Sequence, residues 1–196
     1  MLIEETSVAD EALPVAIFKA HLRVSSGFST DDVQDAVVGS FLRAALAAVE
    51  ARTQKALIAR DFSWSGTLWH RPNAQILPIA PVMSLTQIKI VARDGSETEV
   101  PSQHYWLERD AQTPRVRAAQ GSLPGIPLGG SVQIKFRAGL AETWETLPSD
   151  LRQAVLMLAA HFYEYRHDMV LSSGCMPFGV SSLIERYRNY RLGLVK

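Results

Sequence analysis

Apolar residues recur at spacings of three and four in two stretches of this chain and at every second position in several others. The first helical stretch follows Ser29-Thr30-Asp31-Asp32. Thr30 is a capping residue, and the two aspartates complement the positive end of a helix dipole. Val33, Val37, Phe41, Ala44, Ala45, Ala48 and Val49 then form a stripe, with Gln34, Asp35, Arg43, Glu50 and Arg52 off it. The pattern predicts a long helix over 31–54 with one buried face. A shorter helix precedes it, opened by Pro14 and carrying Val15, Phe18, Ala20, Leu22 and Val24. The second long stretch opens at Leu147-Pro148-Ser149-Asp150. Leu151, Ala154, Val155, Leu158, Phe162 and Tyr165 give it a helical stripe to about Arg166. Ser182 and Glu185 have capping-box spacing and predict a last short helix with Leu183, Ile184, Tyr187, Tyr190 and Arg191.

Between these flanks the period changes from helical to two. Thr86–Arg93 and Val132–Gly139 alternate apolar and polar residues, as half-buried strands do. Asp94-Gly95 after the first run, with Glu97–Val100 beyond it, is a hairpin signal. Ser65-Gly66, between Asp61–Trp64 and Thr67–His70, predicts a second hairpin. Gln75–Ile79, Tyr105–Glu108 and Arg115–Arg117 are further short strands, and residues 121–130 (GSLPGIPLGG) are a loop. Most of the 10 prolines and 12 glycines and all 4 tryptophans lie in this middle block. The fold class expected is α+β. Two long packed helices with shorter ones form a helical core, and a β-rich insertion of antiparallel strands and hairpins lies between them. The chain reads as a single domain, with N-terminal helices at 14–58, the insertion at 59–140, the second core helix at 147–167 and a C-terminal segment at 180–196.

Composition adds exclusions. At 196 residues the chain is long enough for an ordinary core. It has 20 basic and 20 acidic residues, which argues against a protein that coats nucleic acid by charge. Charge is uneven along the chain. Residues 1–60 lean acidic, and the end leans basic through Arg186, Arg188, Arg191 and Lys196. The single cysteine, Cys175, excludes an intramolecular disulfide and a multi-cysteine zinc site. No apolar run is long enough to span a bilayer. The first residues, MLIEETSVADE, lack the cationic and apolar regions of a secretory signal.

Candidate chemistry is sparse. Glu164-Tyr165-Arg166-His167 matches the Glu-x-x-His half-site of di-iron bundles, but no second copy exists. Cys175 stands in Ser-Gly-Cys-Met-Pro with no base placed by the sequence. The glycines of 121–130 lack the Lys-Ser/Thr of a phosphate loop. No metal, nucleotide or other cofactor is expected, and no enzymatic activity. The residues alone point to an interaction protein.

The ordered landmarks carry a resemblance. Pro148, Asp150, Leu151, Arg152, Gln153 and Ala154 lead through an apolar run into His161, Tyr163, Glu164 and Arg166. Earlier come Lys19, His21, Leu22, Arg23 and Val24, then Ala45, Val49, Glu50, Arg52 and Thr53, then Leu77, Pro78, Pro81 and Val82. The strand from Val132 to Gly139 closes the series. Together these resemble the head–tail connector (adaptor) proteins of long-tailed double-stranded DNA phages and of phage-like gene transfer agents. Pro148, Asp150, Tyr163, Glu164 and Arg166 mark the family's signature helix. The chain departs from the usual Tyr-Glu-Asn-Arg-Glu at Tyr165 and His167.

The resemblance implies a structural role at the head–tail interface of a particle assembled in the bacterial cytoplasm. Copies form a ring, a dodecamer in such relatives, below the portal protein. The ring extends the DNA channel without sequence-specific contact and receives a stopper or tail-completion protein. No membrane is involved. Leu183, Ile184, Arg186, Tyr187, Arg188, Tyr190 and Arg191 are the residues expected to dock on the portal, since aromatic and arginine side chains make interface anchors. The alternatives are a tail-terminator or tail-completion ring protein and, further off, a small-molecule enzyme with an unrecognised site.

Overall fold

The structure is a computed structural model, and it describes residues 1–22, 32–166 and 176–189, without the side chains of 32–34. It divides into two compact units: Met1–Ser7 with Ile58–Leu140, and Val8–Leu57 with Ala141–Lys196.

The first unit is the β-rich one. Strands β1 (Leu2–Glu4), β2 (Arg60–Gly66), β4 (Val82–Val91), β5 (Glu97–Glu99) and β8 (Ser131–Ala138) form an antiparallel sheet in the order β1-β2-β8-β4-β5. Strands β3 (Ala74–Ile76), β6 (Tyr105–Glu108) and β7 (Arg115–Ala118) form a second, ordered β3-β7-β6. The alternation of β8 is realised fully. Val132, Ile134, Phe136 and Ala138 are buried, while Gln133, Lys135 and Arg137 are partly open to solvent. Register sets Phe136 opposite Phe62 of β2, and their rings stack with centroids 5.8 Å apart. Strand β4 starts earlier than its alternation suggests, because two irregularities in its pairing with β8 break the period between Val82 and Gln87. The Asp94-Gly95 hairpin forms between β4 and β5. Gly95 has φ +85°, and the Asp94 carboxylate accepts the Ser96 amide at 2.9 Å.

The expected hairpin at Ser65-Gly66 does not form. Residues 60–66 are one straight strand, and Thr67–His70 contains no strand. Gly66 serves another purpose: a Cβ there would stand 2.5 Å from the Trp64 ring. Strand β1 covers the outer side of β2, with Leu2 opposite Trp64 and Ile3 opposite Ser63. Its Glu4 carboxylate takes Arg60 Nε at 2.7 Å, and the guanidinium lies 4.9 Å from the Phe62 ring centre. A buried arginine is thereby neutralised and stacked.

The second unit is helical, with α1 (Val15–His21), α2 (Asp32–Thr53), α3 (Ser149–Glu164) and α4 (Phe178–Ile184). Helix α2 buries Val38, Leu42, Ala45, Leu46 and Val49. This corrects the expected stripe, since Val37 is 45% exposed and Ala44 is exposed. The sequence VVGSFLRAALAAV is apolar around most of the helix, so two neighbouring stripes fit the spacing and packing selects one. The expected cap Thr30 and the first residue, Asp31, lie outside the described residues. Helix α2 ends at Gln54, whose φ of 57° is left-handed. There Thr53 bonds back to the Val49 carbonyl at 2.8 Å, and the Glu50 carboxylate accepts the Leu57 amide at 2.7 Å.

Helix α3 buries Leu151, Ala154, Val155, Leu156, Leu158 and Ala159, as its stripe foretells at four of these positions. Tyr165, expected on that stripe, is 47% exposed because the helix has ended at Glu164. Phe41 of α2 meets Tyr163 of α3 edge-on, with centroids 5.7 Å apart.

Candidate functional site

Pro148 caps α3 in an extended conformation (ψ 138°), so the helix begins cleanly at Ser149. Asp150 then sits in the first turn, where a carboxylate suits the dipole. One of its oxygens accepts the Leu151 amide at 2.9 Å and the Tyr187 hydroxyl at 2.9 Å. The other pairs with Arg186 at 2.8 Å. The Arg186 guanidinium stacks over the Tyr187 ring at 4.7 Å and donates to its hydroxyl at 2.5 Å. Burial is the main reason the Tyr187 phenol titrates above its ordinary value, so it remains a hydrogen-bond donor at neutral pH.

These contacts tie the C-terminal segment to the start of α3. The segment itself departs from the expected form. Its helix begins at Phe178, four residues before Ser182, with Pro177 as the capping residue. Ser182 is inside the helix, and Glu185 opens a 3-10 turn, Glu185–Tyr187, so the Ser182–Glu185 capping box is not made. Proline stops the backbone from being helical one residue earlier, and Pro177 was the signal the sequence offered.

The expected docking residues fall into three groups. Ile184 is fully buried, beside Val180. Leu183 and Tyr187 are half-buried, while Arg186 is exposed and Arg188 pairs with Glu185 at 3.1 Å. Tyr190 and Arg191 lie outside the described residues. Phe178, absent from the expected set, is 88% exposed.

At the other end of α3, the Tyr163 ring lies beneath Arg166 at 4.7 Å, and Arg166 also donates to the Tyr163 carbonyl at 2.9 Å. Glu164 is exposed. His167 and Cys175 lie outside the described residues. Among the described residues no group of three or more His, Cys, Asp or Glu is placed to hold a metal. A cleft of about 610 Å³ in the β unit is lined by Gln103, His104, Gln120, Ser122, Leu123 and Pro124. His104 is the one ionisable side chain among them, so no acid–base pair converges there.

Comparison with solved structures decides the family. A chain in the neck of an empty gene transfer agent particle, computed with C6 symmetry, is 48% identical, covers 98% of this chain and 97% of its own length, and superposes with a TM-score of 0.88. The chain belongs to the adaptor family of gene transfer agent particles. A chain of the virion of a native gene transfer agent particle matches this adaptor at 48% identity, with the same coverage and a TM-score of 0.85. A third, in the neck of a native particle computed with C12 symmetry, matches at 46% identity and a TM-score of 0.84. No protein-family model matches the adaptor, and no curated protein does.

Proposed function

We propose that this adaptor is a structural component of the neck of a gene transfer agent particle, where copies form a ring below the portal, extend the DNA channel and receive the stopper or tail. The observation that carries this reading is the near full-length match to chains of particle necks. Ring assembly is supported by the C6 and C12 symmetry used for those necks. We read the chain as one adaptor domain, with 59–140 inserted between two long helices, α2 and α3, that pack as its core.

The C-terminal segment is the surface we assign to the portal. Ile184 and Val180 hold it in place, which leaves Leu183, Arg186, Tyr187 and Arg188 as its outer groups. Arginine and tyrosine held on a fixed framework are effective interface anchors. The test is a particle-producing strain whose own adaptor gene is replaced by the double variant Arg186→Ala, Arg188→Ala. Filled heads without tails are expected. Tailed particles at normal yield would show that another surface binds the portal.

A further inference from the structure

Arg152 is the fourth residue of α3 and is placed against the electrostatics of its helix. A cation near a helix N-terminus opposes the dipole. Such a charge is ordinarily offset by a nearby carboxylate. Among the described residues none lies within ion-pair distance of Arg152, although Asp150 is two positions away and engaged by Tyr187 and Arg186. The side chain is also not free in solvent. Its Nε is buried and has no hydrogen-bond partner. A buried, unpaired guanidinium N–H forfeits a hydrogen bond that water would have supplied. The Nε is out of reach of any outside group, but the residue is partly exposed, and a carboxylate arriving from outside at the open end of the guanidinium would offset its unpaired charge.

We propose that Arg152 is a subunit-contact residue that receives a carboxylate from a second copy of this chain. The proposal rests on the ring reading above. Three observations favour a second copy over a foreign protein. The related necks were computed with C6 and C12 symmetry. A cyclic ring joins two different surfaces of the same chain, so each copy must offer both halves of the contact. The chain has 20 acids for its 20 bases, and Glu5, Glu11 and Glu145 are exposed with no side-chain hydrogen bond or ion pair among the described residues. Exposed carboxylates are thus available on the chain itself. Arginine suits the role, because its planar fork engages a carboxylate through two hydrogen bonds.

The test uses particles carrying Arg152→Lys, which keeps the charge and supplies an amine, treated with a zero-length carbodiimide. The expected product has twice the 21.6 kDa mass of the chain, with position 152 joined to a glutamate or aspartate of another copy. In parallel, Arg152→Gln should leave the melting temperature of the isolated chain unchanged or raised while the yield of particles with a complete neck ring falls roughly tenfold or more. A merely structural arginine would lower the melting temperature instead. A ring that is present but joins position 152 to a different polypeptide, to its own copy or to nothing overturns this inference alone. Particles that contain no copy of the chain overturn the adaptor reading and this inference with it.

Discussion

The Asp150 carboxylate and the Tyr187 hydroxyl, 37 residues apart in sequence, are joined by a 2.9 Å hydrogen bond. Asp150 belongs to the first turn of α3, and Tyr187 to the segment we propose docks on the portal. Asp150 thus both accepts a backbone amide at the start of α3 and holds Tyr187 against that helix. Removing the hydroxyl with Tyr187→Phe keeps the ring under Arg186 and should cost about 0.5–1.5 kcal/mol. Thermal unfolding should show a fall of a few degrees, and limited proteolysis should cut the segment after Ile184 sooner. An unchanged cleavage rate would mean that the bond does not hold the segment.

The corrected stripe of α2 gives a paired test. Leu42 is fully buried and Val37 is 45% exposed. Leu42→Ala should cost about 2–5 kcal/mol through cavity formation. Val37→Ala should stay within about 0.5 kcal/mol. Equal losses in chemical denaturation would return the buried face to the Val37 stripe. On α3, Leu158→Ala should resemble Leu42→Ala, since Leu158 is 1% exposed.

What the sequence made legible was local. Strand β8 declares itself because alternation matches a sheet with one buried face. Asp94-Gly95 declares itself because a positive φ at a tight turn favours glycine. Helix α2 was visible as a helix, but its face was not, because apolar residues surround most of it. Gly66 looked like a turn and is instead a gap for the Trp64 ring. Strand β1 had no local signal: its partner residues are around Phe62–Trp64, far along the chain. The candidate site was less legible still. Tyr187 and Arg186 stood out in the sequence only by residue type. Their attachment to Asp150 depends on how the C-terminal segment returns to α3, and no residue pattern encodes that return.

Two glycines separate close approach from mere loop placement. A Cβ at Gly139 would stand 2.3 Å from the Ala59 Cα, a backbone atom that cannot swing aside. Gly139→Ala should destabilise by about 1–3 kcal/mol or more, as overpacking does. Gly125 has nothing within 4 Å of its ideal Cβ, so Gly125→Ala should be neutral or slightly stabilising. Urea denaturation of the two variants distinguishes these outcomes.

Acid stability should depend partly on Glu108. Its hydrogen bond from Arg117, 2.5 Å long, is the largest reason its carboxyl titrates below the ordinary value. A carboxyl whose folded value is depressed contributes stability above its unfolded value, and loses that contribution as pH falls through the folded one. Asp94 and Asp110 are lowered in the same sense by their own loop hydrogen bonds. The melting temperature should therefore fall as pH drops through and below the ordinary carboxylate range, and Glu108→Gln should make that fall shallower. A variant that follows the wild-type curve throughout would mean that the Glu108–Arg117 pair adds nothing to folding.

The central claim is that this chain is the ring-forming adaptor of the particle neck, and cryo-electron microscopy of intact particles tests it most directly. Particles made with a small tag fused to this chain should show the tag as a ring of repeated density in the neck, between head and tail, with the chain's two units traceable in every copy. Tag density confined to the tail tip, the capsid shell or no ordered position would contradict the account.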